Sequence, residues 1–291
     1  MQLPELRGTS QHGDRAFRWL AFAAAAVVLV VLALIAITMT QRALPVFERM
    51  GGEFFTSKRW SAPEGLYGAL PFIFGTLYTA TIAVAIAVPI SLGVALFVTQ
   101  VAPPWLKRPL IYLVDLLAVV PSVVFGLWGV LVLSNHFGLG RSFLTAGIIL
   151  AIMITPIITS LAREVIETTP TTDKEAALAL GATRWEMINA AVLPHSKGGL
   201  VGAVMLGLGR AMGETIAAAL VIGSSLGQIT LNAFASGNSM PAVIANEWGE
   251  ADDLHKSALI ALAVTLFIIT IVVNLVATSI VQRSMRRSRG T

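Results

Sequence analysis

The stretch LPHSKGGLVGAVMLGLGRAMGETIAAALVIGSS, residues 193–225, decides how this chain is read. From Gly198 to Ile222 it has the length and apolarity of one membrane-spanning helix, yet Arg210 and Glu214 stand in its middle. Four residues apart, they fall on one helical face a single turn from each other. A charge at mid-bilayer costs roughly 3 kcal/mol on insertion scales. Such a pair is tolerated where it faces protein or a water-filled path, so the rest of the chain is expected to shelter this helix.

Composition agrees with a membrane setting. Of 291 residues, 56% are hydrophobic and only 12% charged, against about 25% charged in soluble domains. Mean hydropathy is +0.79. These values predict an all-α polytopic membrane protein with no room for a large soluble domain. The absence of cysteine excludes disulfide frameworks, thiolate nucleophiles and Cys-based metal sites. His12, His136, His195 and His255 stand singly in polar segments without metal-ligand spacing, so neither a metal nor a cofactor is expected. A pI near 9.8 would suit nucleic acid. The basic residues flank apolar spans, however, which makes them topology signals and leaves no nucleic-acid partner expected.

Six spans are expected, at about 19–39, 70–100, 110–133, 142–162, 198–222 and 257–281, between a polar N-terminal segment (1–18) and a basic tail (282–291). The first, 21 uncharged residues, reaches about 31 Å as a helix, too long an apolar core for a cleaved signal peptide. Residues 41–68 and 226–256 read as polar loops, and Pro89 and Pro156 should kink their spans. Asp115 lies about one turn inside the third span. It reads either as an interfacial carboxylate or as a helix-interface charge partnering a basic group on a facing element. Thr76 and Ser122 are candidate pathway hydroxyls. With six spans both termini share one side, and that side collects 13 Lys/Arg against 6 opposite, with Arg210 within the membrane. The positive-inside rule then places both termini, and the 163–197 insertion, in the cytoplasm.

In that insertion, residues 172–180 favour helix and Gly181 suits its C-terminus. Thr183 with Glu186 three residues on forms a capping-box pattern for a second helix ending before Pro194. Ala176, Ala177 and Leu180 supply apolar contacts for docking in a partner's groove. A hairpin lying on lipid headgroups accounts for the same residues equally well.

Residues 175–194, EAALALGATRWEMINAAVLP, resemble the EAA loop of ABC-transporter permeases, which docks on a cytoplasmic ATPase. Glu175, Ala176, Ala177, Gly181, Leu193 and Pro194 fall at the motif's spacing, while Ala191 stands where isoleucine is usual. The runs GALPFIFGTLYTATIAVAIAVPISLGVALFV (68–98), LLAVVPSVVFGLWGVLVL (116–133), LAREVIETTP (161–170) and GLGRAMGETIA (207–217) further resemble the PstC-type permease family of phosphate-specific ABC importers. Asp115 stands where that family commonly has glutamate.

The resemblance implies the six-helix permease of a type I ABC importer with a cytoplasmic two-helix coupling insertion (172–194), in a bacterial plasma (inner) membrane. It assigns ATPase coupling to Glu175, Ala176, Ala177, Gly181, Ala182, Arg184 and Pro194. It implies that Arg210 and Glu214 matter for passage of inorganic phosphate; Thr215, Ser122 and Thr76 are further candidates for lining that path. The partners it implies are a PstA-type permease forming a heterodimer, two PstB-type ATP-binding subunits and a PstS-type extracytoplasmic phosphate-binding protein. No GxxxxGK[ST] pattern occurs in the chain, so ATP hydrolysis belongs to a separate subunit and the chain itself is not an enzyme. Arg210 offers a planar donor fork suited to an oxyanion, and Glu214 would compete with it and keep binding weak. A structural ion pair gluing helices at Gly209-x-x-x-Gly213 is the plainer reading of the same residues. Rival functions are import of another oxyanion such as molybdate or sulfate, a proton-coupled secondary transporter, and an intramembrane enzyme. The last lacks any His or Cys in the spans.

Overall fold

The computed structural model describes residues 11–289, with side chains described for residues 15–279. Residues 1–10 of the expected N-terminal segment, the side chains of the tail, and residues 290–291 lie outside the described residues. In chain order the elements are α1 (Gln11–Met50), α2 (Glu53–Thr56), a hairpin of β1 (Trp60–Ser61) and β2 (Leu66–Tyr67), and α3 (Leu70–Leu96). Then come α4 (Pro104–Val119), α5 (Ser122–Trp128), α6 (Phe143–Glu167), α7 (Thr171–Ala179) and α8 (Arg184–Met187). The last four are α9 (Leu193–Gly213), α10 (Ile216–Val221), α11 (Met240–Glu247) and α12 (Asp253–Arg289). Among the described residues five helices are long and apolar enough to cross a membrane, or six when the bent pair α4–α5 is counted as one span.

α6 is the central helix: 61% of its apolar window is buried inside the chain, against none of α1's. Lipid tails give helices no hydrophobic reason to associate, so close packing of small residues has to hold them. α3 supplies that packing with Gly75, Thr79, Ala83, Ala87, Ser91 and Ala95, a buried stripe at a spacing of four. α6 answers with Gly147, where a methyl group would strike Ile82. Ser91 donates across the pair to the Thr155 carbonyl at 3.1 Å.

Four of the sequence expectations are corrected outside the charged helix. The loop expected from residue 41 begins in fact as helix. α1 runs on to Met50 because Ala43, Val46 and Met50 continue an apolar face that packs into a core with Phe54, Trp60, Tyr67 and Phe72. The second insertion helix does not end before Pro194. A π-helical turn, Ile188–Val192, joins α8 to α9, and the Leu193 N–H bonds to the Ile188 carbonyl five residues back. That wider register absorbs the proline, which has no N–H to give. The third span, expected as one helix over 110–133, bends by 92° between α4 and α5. Val120 and Pro121 are extended there, as a proline and the residue before it prefer. The 226–256 loop contains α11, whose Met240 N–H bonds to the Thr76 hydroxyl at 2.9 Å.

At one end of the bundle, the hairpin, α11 and the start of α12 meet around Glu247. Its Oε2 accepts from Trp60 Nε1 at 2.8 Å and lies 2.8 Å from His255 Nε2. Tyr67 stacks on His255 with centroids 5.6 Å apart, yet its buried hydroxyl has no hydrogen-bond partner among the described residues. Burial raises the Tyr67 pKa above its usual value, helped by Asp252 and Glu247 and opposed by Arg49. A raised folded-state value stabilises the fold below about pH 10, and that contribution is lost as pH climbs through the folded pKa. Tyr67→Phe should therefore leave the melting temperature at pH 7.5 unchanged or higher and soften the loss of stability above about pH 10. A lower melting temperature at neutral pH would show that the hydroxyl has a partner.

Candidate functional site

The helix that carries Arg210 and Glu214 is not continuous. α9 stops at Gly213, Glu214 takes an extended conformation (φ −70°, ψ 124°), and α10 restarts at Ile216. The expectation of one unbroken span over 198–222, with both charges a regular turn apart, is thus corrected. Leaving the helix swings the carboxylate: Glu214 Oε2 lies 4.0 Å from the Arg210 guanidinium, beyond hydrogen-bond length. The Glu214 side chain is 10% exposed and that of Arg210 46%. The cation's donor fork therefore keeps open space in front of it while the carboxylate is tucked in.

The second break, at Val120–Pro121, stands beside the first. Added methyl groups at Gly126 and Gly129 would strike Leu220 and Val221 of α10, so α5 and α10 run parallel in contact. Continuing that register one turn back sets Ser122, which is half-buried, level with Gly213 and Glu214. On the other side, a methyl at Gly207 would strike Ile158 and one at Gly199 would strike Val165, so α9 runs antiparallel to α6. This places Arg210 level with Ile154 and Thr155, the middle of α6. Two helix breaks, an arginine and a sheltered glutamate thus meet at one depth. Backbone outside the helical ladder at membrane depth is tolerated only where protein buries it or water fills a cavity beside it.

Thr215 belongs to this junction. It is half-buried and its hydroxyl reaches the Gly213 carbonyl at 3.3 Å. Thr76 does not. It lies roughly 20 Å along α3 from the level of Arg210, buried, donating to the Phe72 carbonyl and accepting from Met240 N–H. Ser91 is the α3 hydroxyl at that level. Asp115 faces α6 from α4 but accepts from the Ser160 hydroxyl at 3.3 Å, not from a basic group. One face of α9 is open: methyl groups at Gly202, Gly209 and Gly213 would touch nothing, and Leu206 is exposed between them. The uneven glycine spacing on an apolar helix is the sequence signal for that face.

At the end of the bundle opposite Glu247, α7 and α8 form a knob. Gly181 turns the chain with φ +85°, a conformation glycine adopts without a Cβ penalty. The Thr183–Glu186 capping box forms in both directions. Met187, Ile188 and Val192 seat the knob on Ala95, Ala162, Ile166 and Leu200. Glu175, Ala176, Gly181 and Arg184 are exposed, Ala177 and Ala182 half-buried, and Pro194 sits exposed in the first turn of α9. Ala177 leans on the seat, so the outward apolar surface is Leu178, Leu180 and Trp185, with Leu180 90% exposed. Sequence reading had Leu180 but missed Trp185.

Residues 87–289 match the family model described as binding-protein-dependent transport system inner membrane component. The chain is 41% identical to the phosphate transport system permease protein PstC of Xylella fastidiosa strain Temecula1, over 95% of this chain and 93% of that one. It is likewise 41% identical to the PstC protein of Haemophilus influenzae, over 91% of this chain and 92% of that one. Among solved structures it is similar to a bacterial alginate ABC transporter in complex with an alginate-bound periplasmic protein. The TM-score is 0.64 at 16% identity, over 95% of this chain and 97% of that one.

Proposed function

The chain belongs to the family of binding-protein-dependent transport system inner membrane components, and from that premise we propose that it is the PstC-type permease of an ATP-driven phosphate importer. The observation that carries the substrate is similarity along almost the whole chain to phosphate permeases. The geometry at Arg210 agrees with it. Phosphate is a mono- to dianion near neutral pH, with acceptor oxygens that match a guanidinium fork. A half-open Arg210 at a double helix break offers that fork at membrane depth.

Glu214 is close enough to offset the Arg210 charge between passages and too far to occupy its donors. Phosphate arriving at the junction meets donors that are not already spent, and leaves as the carboxylate competes for the cation. Weak, transient binding is what conduction requires. Ser122 and Thr215 stand level with the pair and can donate to the anion as it passes.

One chain provides one wall of such a path. The open glycine face of α9 invites close approach by a second permease of PstA type. The knob of α7 and α8 faces the cytoplasm, together with both termini, and meets PstB-type ATPase subunits through Leu178, Leu180 and Trp185. A PstS-type binding protein docks at the Glu247 end. The test is uptake by sealed vesicles holding the assembled transporter, supplied with ATP and binding protein, and given labelled phosphate against excess sulfate or molybdate. Uptake should need ATP, survive collapse of the proton gradient, and be competed by unlabelled phosphate alone. Uptake driven by the proton gradient without ATP, or competed equally by sulfate or molybdate, would overturn the reading.

A further inference from the structure

We propose that Arg15, Arg18, Trp19 and Phe22 form a binding site for the phosphate headgroup of an anionic membrane lipid. The four residues form one exposed patch at the start of α1. Their spacing of three, four and seven puts them on one helical face. The site is graded. Two guanidiniums lead, and an edge-to-face Trp19–Phe22 pair follows, with centroids 6.1 Å apart and an interplanar angle of 86°. Beyond it runs an apolar helix, none of whose hydrophobic window is buried by the rest of the chain.

Each part answers a part of one molecule. A phosphodiester presents oxygens that guanidinium donors grip in pairs. Indole rings settle at the level where headgroups give way to acyl chains. The exposed helix beyond Phe22 is the surface along which those chains lie. Charge selects the lipid class: Arg15 and Arg18 bring two cations against the single carboxylate of the neighbouring Asp14, and no other follows before Glu48, so anionic headgroups gain more than zwitterionic ones. Neither arginine is buried, so a free phosphate ion would stay in water. A lipid differs because the bilayer already holds its chains at the site.

Native mass spectrometry of the full-length chain, titrated with phosphatidylglycerol or phosphatidylcholine, tests the site. Phosphatidylglycerol should be retained preferentially, and each arginine lost should weaken that preference about fivefold, about 25-fold for R15Q/R18Q. R15K/R18K should keep most of it, and K58Q/R59Q, in the loop beyond the far end of α1, should keep all of it. Equal retention of the two lipids, or a preference untouched by R15Q/R18Q, would overturn the proposal. So would displacement of phosphatidylglycerol by millimolar inorganic phosphate, which would make the free ion the ligand.

Discussion

Arg210→Gln is expected to abolish phosphate uptake, by about 100-fold or more, while the variant inserts, assembles and melts as the wild type does. The magnitude follows from the chemistry. Two charge-assisted hydrogen bonds contribute about 1.5–3 kcal/mol each, and every 1.4 kcal/mol is a factor of ten. Assembly should survive because the side chain is nearly half open and its ion pair with Glu214 is stretched to 4.0 Å, so little structure leans on it. Arg210→Lys should recover part of the transport, since it restores the charge without the planar fork. Wild-type uptake by Arg210→Gln would remove the arginine from the pathway. A variant that failed to assemble would support the plainer role, an ion pair that holds helices together. Vesicle uptake read beside thermal melting separates these results.

Leu180→Asp combined with Trp185→Asp should uncouple ATP hydrolysis from transport. Both side chains stand out from the knob, 90% and 64% exposed, on a turn set by Gly181 and fixed by the Thr183–Glu186 capping box. An exposed apolar pair on a rigid mount is costly in water unless a partner covers it. Losing an anchor of this kind costs about 2 kcal/mol or more, roughly 30-fold in affinity for the ATPase. Co-purification with the ATPase should fall accordingly, and binding-protein-stimulated hydrolysis with it. The fold should hold, since the core beneath the knob is built from Met187, Ile188 and Val192. Unchanged coupling would show that the ATPase docks elsewhere.

The Arg210 junction was partly legible before the structure. The two charges announced themselves by sitting in an apolar run, whereas the break at Pro121 falls inside what reads as one continuous span. Their convergence was not legible, because 88 residues separate Ser122 from Arg210. Thr76 shows the opposite failure. A hydroxyl in an apolar span reads as a candidate for the path, yet this one is taken up by the N-terminus of α11. The Trp60–Glu247–His255 contacts had no local signal at all, since Trp60 and Glu247 lie 187 residues apart.

By itself the sequence determined that this chain lives in a membrane, that it is helical, which residues carry charge within the apolar runs, and where the knob with its capping box lies. These are properties of short windows: length and hydropathy set the spans, and a cap is closed within four residues. Only the tertiary structure decided where helices stop. α9 could have run on to Ile222 on apolarity alone, and α4 into α5, but each breaks where it meets its neighbour at the middle of α6. In lipid a helix is the default for any apolar segment, so an interruption persists only where another helix satisfies or shelters the freed backbone. That condition depends on packing between distant segments, and no window of sequence contains it.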